Sequence, residues 1–139
     1  MKKISKHISY KEAVNSNYAK KHKIKNEPDD EQLENMKLIA KEVFEPLREW
    51  VGGPIKVNSF FRSEKLNTGI GGSKTSSHLK GQAIDLTTMG LKTNGQIFNY
   101  IKDNLEYDQL IWEYGRVNPK WIHVSFNSVK NRKQAFRVK

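Results

Sequence analysis

The sequence predicts an α+β fold, with helices early in the chain and a mostly antiparallel sheet later, flanked by those helices. Three observations carry this expectation. Leu33, Met36, Ala40, Val43, Leu47 and Trp50 recur at spacings of three and four, the stripe of an amphipathic helix. From Ile55 onward the apolar residues instead alternate in short runs, the period of strands. A chain of 139 residues is the size of one core and too short for two.

Residues 1–26 hold eight Lys and one Glu, with only scattered apolar residues such as Ile4, Ile8, Val14 and Ile24. They read as a basic, extended N-terminal arm with a short helix near residues 10–19, preceding a single domain over residues 27–139. Asp29 followed by Gln32 forms a capping box, with acids in the first turn, and opens the striped helix. Pro46 interrupts the stripe, so the helix should kink or end near Glu45. Gly52-Gly53-Pro54 finishes it.

Ile55, Val57 and Ser59 alternate with Lys56 and Asn58, a strand that delivers Phe60-Phe61-Arg62-Ser63. A loop of small residues follows from Asn67 to His78, then a short buried strand over residues 82–86. Thr93 and Gln96 form a second capping box, opening a helix to about Asn104 that buries Ile97, Ile101 and either Phe98 or Tyr100. Strands over residues 109–114, 121–126 and 134–138 complete the sheet.

Composition removes several function classes. With no cysteine, the chain has no disulfide, thiolate metal site or cysteine nucleophile, so any metal must be held by His, Asp or Glu. No apolar run reaches the roughly 18 residues that would span a bilayer, and Met1-Lys2-Lys3 leads into no apolar signal core. The net charge of +10 sits at the ends: residues 127–139 carry five Lys or Arg and no acid, while residues 27–126 carry 12 basic and 14 acidic residues. Such ends suit an anionic polymer or simple solubility, and no phosphate loop or sequence-reading motif accompanies them.

Chemistry concentrates on two of the four histidines. His7 and His22 lie in the basic stretch without an acidic neighbour in sequence. His78 is followed by Gly81, Ala83 and Asp85, where small residues let a turn bring imidazole and carboxylate together. In Trp121-Ile122-His123-Val124-Ser125-Phe126, alternation puts His123 on the face opposite Ile122, Val124 and Phe126. Two His and one Asp are a ligand set that zinc accepts, leaving a fourth position for water.

The string Ser76-Ser77-His78-Leu79-Lys80-Gly81-Gln82-Ala83-Ile84-Asp85 resembles the Ser-x-His-x-x-Gly-x-Ala-x-Asp pattern of the M15 zinc peptidases, the D-Ala-D-Ala carboxypeptidase family of peptidoglycan enzymes. Arg62-Ser63 resembles the family's segment before the zinc loop, and Trp121-Ile122-His123 its distal ligand motif. The resemblance runs from about Asp29 to Phe126 and is nearest the compact subgroup of bacteriophages and bacteria.

It implies a hedgehog/DD-peptidase-like fold, with Zn2+ held by His78, Asp85 and His123. One departure stands out: the family's catalytic Glu, three residues before the distal His, is Lys120 here. The nearest substitute is Glu113, a carboxylate in an apolar strand, where it is costly without a partner or a task. A salt bridge to Arg116 or Lys120 is the plain alternative. Arg62 is assigned to the oxyanion or a substrate carboxylate, or else to a structural ion pair. Ser76 is assigned to substrate positioning, or else to capping a turn.

The expected protein is therefore a monomeric zinc peptidase acting on peptidoglycan stem peptides, either as a D-Ala-D-Ala carboxypeptidase or as an L-Ala-D-Glu endopeptidase. Its basic ends would touch anionic wall polymers, with no specific nucleic acid as partner. It would be made in the cytoplasm without an export signal and reach the wall through a separate membrane lesion, as a phage endolysin does. The rival expectation is a non-catalytic, zinc-stabilised module that binds wall or nucleic acid through its basic ends.

Overall fold

The computed structural model describes residues 3–139. The chain begins with a hairpin of β1 (Lys3–Ser5) and β2 (Ile8–Ser9) and two helical turns, α1 (Tyr10–Ala13) and α2 (Asn17–Lys21). Ser9 and Ser16 cap these turns, accepting from the N–H groups of Glu12 and Ala19. One helix over residues 10–19 is thus replaced by two, and the stretch is folded rather than extended. Ile4, Ile8 and Ala13 lie in the hydrophobic core. His7, without an acid nearby in sequence, meets Glu45 at 2.6 Å in space. The side chain of buried Asn26 donates to the carbonyls of Val14 and Phe61 and accepts from the N–H of Ser63.

α3 (Asp30–Ile39) starts at the expected box: Asp29 accepts from the N–H of Gln32, and the Gln32 side chain accepts from the N–H of Asp29. A π-helical turn over Ala40–Phe44 leads into α4 (Glu45–Val51). Pro46 follows that turn within continuous right-handed helical backbone; it has no N–H to donate, and the wider π turn before it accommodates the missing bond, which accounts for the irregularity near Glu45. Met36, Ala40, Val43 and Leu47 are buried, whereas Leu33 and Trp50 are only partly so.

β3 (Ile55–Ser59) is followed by α5 (Glu64–Gly69), a helix inside the region read as loop. Ser63 caps it by accepting from the N–H of Leu66, and burial of Leu66 and Asn67 outweighs the weak helix propensity of Asn-Thr-Gly. A 3₁₀ turn over Ser77–Lys80 precedes β4 (Ala83–Thr88). α6 (Asn94–Asn104) opens at its Thr93/Gln96 box and buries Phe98, while Tyr100 stacks on Trp50 at 4.2 Å. β5 (Gln109–Glu113), β6 (Trp121–Ser125) and β7 (Gln134–Val138) close the chain.

The five-stranded sheet has the order β3-β4-β6-β5-β7. All pairings are antiparallel except β5 with β7, which the chain reaches by crossing the start of β5. A clasp holds that crossing: Asp108 accepts from the backbone N–H and guanidinium of Arg132 at 2.8–2.9 Å. These bonds hold the Asp108 carboxyl below the usual carboxylate range. One face of the sheet, with Ile84, Leu86, Ile122, Val124 and Leu110, packs into the core. The other face carries Ser59, Asp85, His123 and Ile111 as successive cross-strand neighbours.

Gly81 fixes the approach of the 3₁₀ turn to α3. Its φ is +73°, and a Cβ there would lie 2.6 Å from the Gln32 carbonyl oxygen and 2.7 Å from Met36 Cγ. The Gln32 and Asn35 side chains grip the same turn, donating to the carbonyls of Leu79 and Lys80. Gly81→Ala is expected to cost about 2 kcal/mol or more, combining left-handed backbone strain with overpacking. Urea unfolding would measure the loss.

Candidate metal centre and cleft

His78 enters the site from the 3₁₀ turn, with a side chain only 2% exposed. Its Nδ1 lies 2.7 Å from the Phe60 carbonyl oxygen. A carbonyl only accepts, so Nδ1 carries a proton, and Nε2 is the ring nitrogen turned toward Asp85. Among the described residues that Nε2 is buried without a hydrogen-bond partner, 3.2 Å from Asp85 Oδ1. Across the β4–β6 rung, His123 Nδ1 approaches the same oxygen at 3.0 Å.

Two imidazole nitrogens thus converge on one carboxylate oxygen, and the ligand atoms of the three residues lie within 4.8 Å of one another. A lone pair facing a carboxylate is unfavourable unless a proton or a metal cation sits between them. The orphaned Nε2 and the N/N/O donor set therefore fit a metal ion, and zinc in particular. Burial would raise the Asp85 carboxyl, but the hydrogen bond from His123 opposes it and the group is held far below its ordinary value. Asp85 is therefore charged, as a ligand must be.

Arg62 braces the second oxygen of that carboxylate. Its Nη2 lies 3.5 Å from Asp85 Oδ2, its Nε donates to Ser59 Oγ at 3.1 Å and its Nη1 to Asn67 Oδ1 at 3.3 Å. Burial lowers its pKa, opposed by Asp85 and Glu113. Ser76 caps the 3₁₀ turn, its Oγ accepting from the N–H of His78 at 3.2 Å, which leaves the hydroxyl proton free.

Arg62, Ser76 and the three His/Asp residues line one cleft of about 320 Å³, together with Gln109, Ile111, Glu113 and Trp121 from the sheet. Glu113 stands on β5 between Trp121 of β6 and Val138 of β7 in register. Burial pushes its carboxyl above the ordinary range, against the opposing pull of His123. The charges acting on it are those of His123, Asp85 and Arg62, not Arg116 or Lys120. Lys120 is exposed, and its backbone N–H donates to the carbonyls of Glu113 and Tyr114.

A sequence model of the peptidase M15 family matches residues 6–125. The chain belongs to this family. No curated protein gives a significant match. All six side chains singled out from the M15-like motifs and the departure at Lys120 fall within the one cleft.

Sequence reasoning missed two contributors. The Phe60 carbonyl, which orients His78, is backbone and leaves no trace in residue identity. Asn67, 3% exposed, accepts from Arg62 and donates to the Ser73 carbonyl at 2.8 Å, joining α5 to the loop that carries Ser76 and His78. The signal was present in Asn67-x-x-x-x-Gly72, because a Cβ at Gly72 would fall 2.1 Å from Asn67 Oδ1.

Proposed function

We propose that this peptidase-family chain is a zinc-dependent enzyme that hydrolyses peptide bonds in the stem peptides of bacterial peptidoglycan, in the manner of a phage endolysin. The observation that carries this reading is the convergence of His78 and His123 on Asp85, with Glu113 in the same cleft. When bound by these three residues, zinc would supply Lewis-acid activation of the scissile carbonyl and of water. Glu113 takes a proton from the attacking water and returns it to the leaving amine, a task suited to a carboxyl whose proton affinity burial has increased. Arg62 uses its remaining N–H groups to stabilise negative charge on the carbonyl oxygen while keeping Asp85 oriented. The Ser76 hydroxyl donates to the peptide.

The test is to incubate zinc-loaded protein with purified peptidoglycan and identify the new amino and carboxyl ends. Ends within or at the tip of the stem peptide support the proposal and define the scissile bond. Bound zinc with no new ends would leave a binding module instead.

The basic ends are assigned to adhesion to anionic wall polymers. Lys20, Lys21, Lys23, Lys130 and Lys139 are all exposed, so glutamines at these positions should preserve the fold. The substituted protein should bind whole sacculi several-fold more weakly at low salt, with the difference fading as salt rises. Turnover of a small soluble peptide should be unaltered. A co-sedimentation series in sodium chloride checks this.

A further inference from the structure

Beyond the residues that line the cleft, the same face of the sheet continues onto β7. Ile111, the cross-strand neighbour of His123, is itself opposite Phe136 of β7, and Gln109 is opposite Gln134. Ala135 packs on the core, so Gln134 and Phe136 are on the ligand face. Phe136 is 41% exposed, high for an aromatic side chain on an ordered strand. Beside it Gln109 Nε2 donates to Gln134 Oε1 at 3.2 Å, which leaves one amide oxygen and one amide nitrogen free to accept and to donate.

We propose that Phe136, Gln134 and Gln109 form a subsite for the N-acetylated sugar to which the stem peptide is joined. This rests on the peptidoglycan reading of the adjoining site. A pyranose ring offers a face of C–H groups to an aromatic ring, with hydroxyl and acetamido groups at its rim. The platform offers the complement, an apolar ring flanked by a paired donor and acceptor. Phe136 lies two strand spacings from His123, about 10 Å. An extended chain advances about 3.5 Å per residue, so the span of about 10 Å takes about three such lengths, filled by one or two residues together with the sugar and its linkage. The subsite thereby selects bonds at the sugar end of the stem and disfavours the far tip.

The experiment compares two synthetic substrates, a stem peptide carrying N-acetylmuramic acid and the same peptide with a simple N-acetyl cap. In the wild-type enzyme kcat/KM should favour the sugar-bearing peptide by about tenfold, the scale of one aromatic contact with its hydrogen bonds. Phe136→Ala and Gln134→Ala should each bring that ratio close to one, mainly through KM. A wild-type ratio near one, or a ratio that survives both substitutions, overturns the proposal. Titration of ¹⁵N-labelled protein with N-acetylmuramic acid gives an independent reading. Shifts of the Gln109 and Gln134 side-chain amide signals support the subsite, and shifts confined elsewhere overturn it. Cleavage of neither substrate alongside such shifts would sink the catalytic reading while sparing the sugar site.

Discussion

Glu113→Gln should lower hydrolysis by about 100-fold or more while leaving metal content unchanged, the usual scale of losing a general acid–base. The substitution keeps the side chain's shape on β5 between Trp121 and Val138, and it leaves His78, Asp85 and His123 intact. What it removes is the proton acceptor. In the wild-type enzyme, activity should fall on the acid side as Glu113 becomes protonated, and this limb of the pH–rate profile should disappear in the variant. Retention of most activity would place the base elsewhere. Asp108 and Glu106, the next carboxylates along the chain, are poor substitutes: Asp108 is clasped by Arg132, and Glu106 pairs with Lys133 at 3.3 Å.

His123→Ala and His78→Ala should each reduce zinc affinity by well over 100-fold, since even loss of an outer hydrogen-bond partner costs 10- to 100-fold. Hydrolysis should fall with the metal. His78 is almost fully buried and its removal opens a cavity, so His123, partly exposed at the cleft, gives the cleaner variant. Circular dichroism should show His123→Ala folded, and metal analysis after dialysis should show less than one zinc per chain. Unchanged zinc in that protein would remove the centre as drawn.

Much of this architecture could be read in the chain because it rests on local rules. The Asp29/Gln32 and Thr93/Gln96 boxes formed as expected, since a cap needs only neighbours three residues apart. His123 falls on the face opposite Ile122 and Val124 because alternation is a property of any strand. What escaped depended on contacts distant in sequence. Ile4 and Ile8 are too few in a polar stretch to give a periodic signal, and their burial comes from packing against the body. The Asp29–Gln32 helix also holds the turn that carries His78 by its side-chain bonds to Leu79 and Lys80, a contact across more than forty residues. Likewise Gln134–Val138 reads as a strand, but nothing in its alternation says that its partner is β5 or that the pairing is parallel.

That placement of β7 also bears on self-association. As the terminal strand of the sheet it offers backbone groups on its outer side to another chain, the usual route to edge-to-edge aggregation. Lys133, Arg137 and Lys139 stand at or beside this edge, so two molecules meeting there would bring like charges together. The positive charge at the end of the sheet thereby acts as a guard on an open strand, whatever polymer it also contacts. Removing it should shorten the time this protein stays dispersed at high concentration, and added salt, by screening the repulsion, should do the same to the unaltered chain.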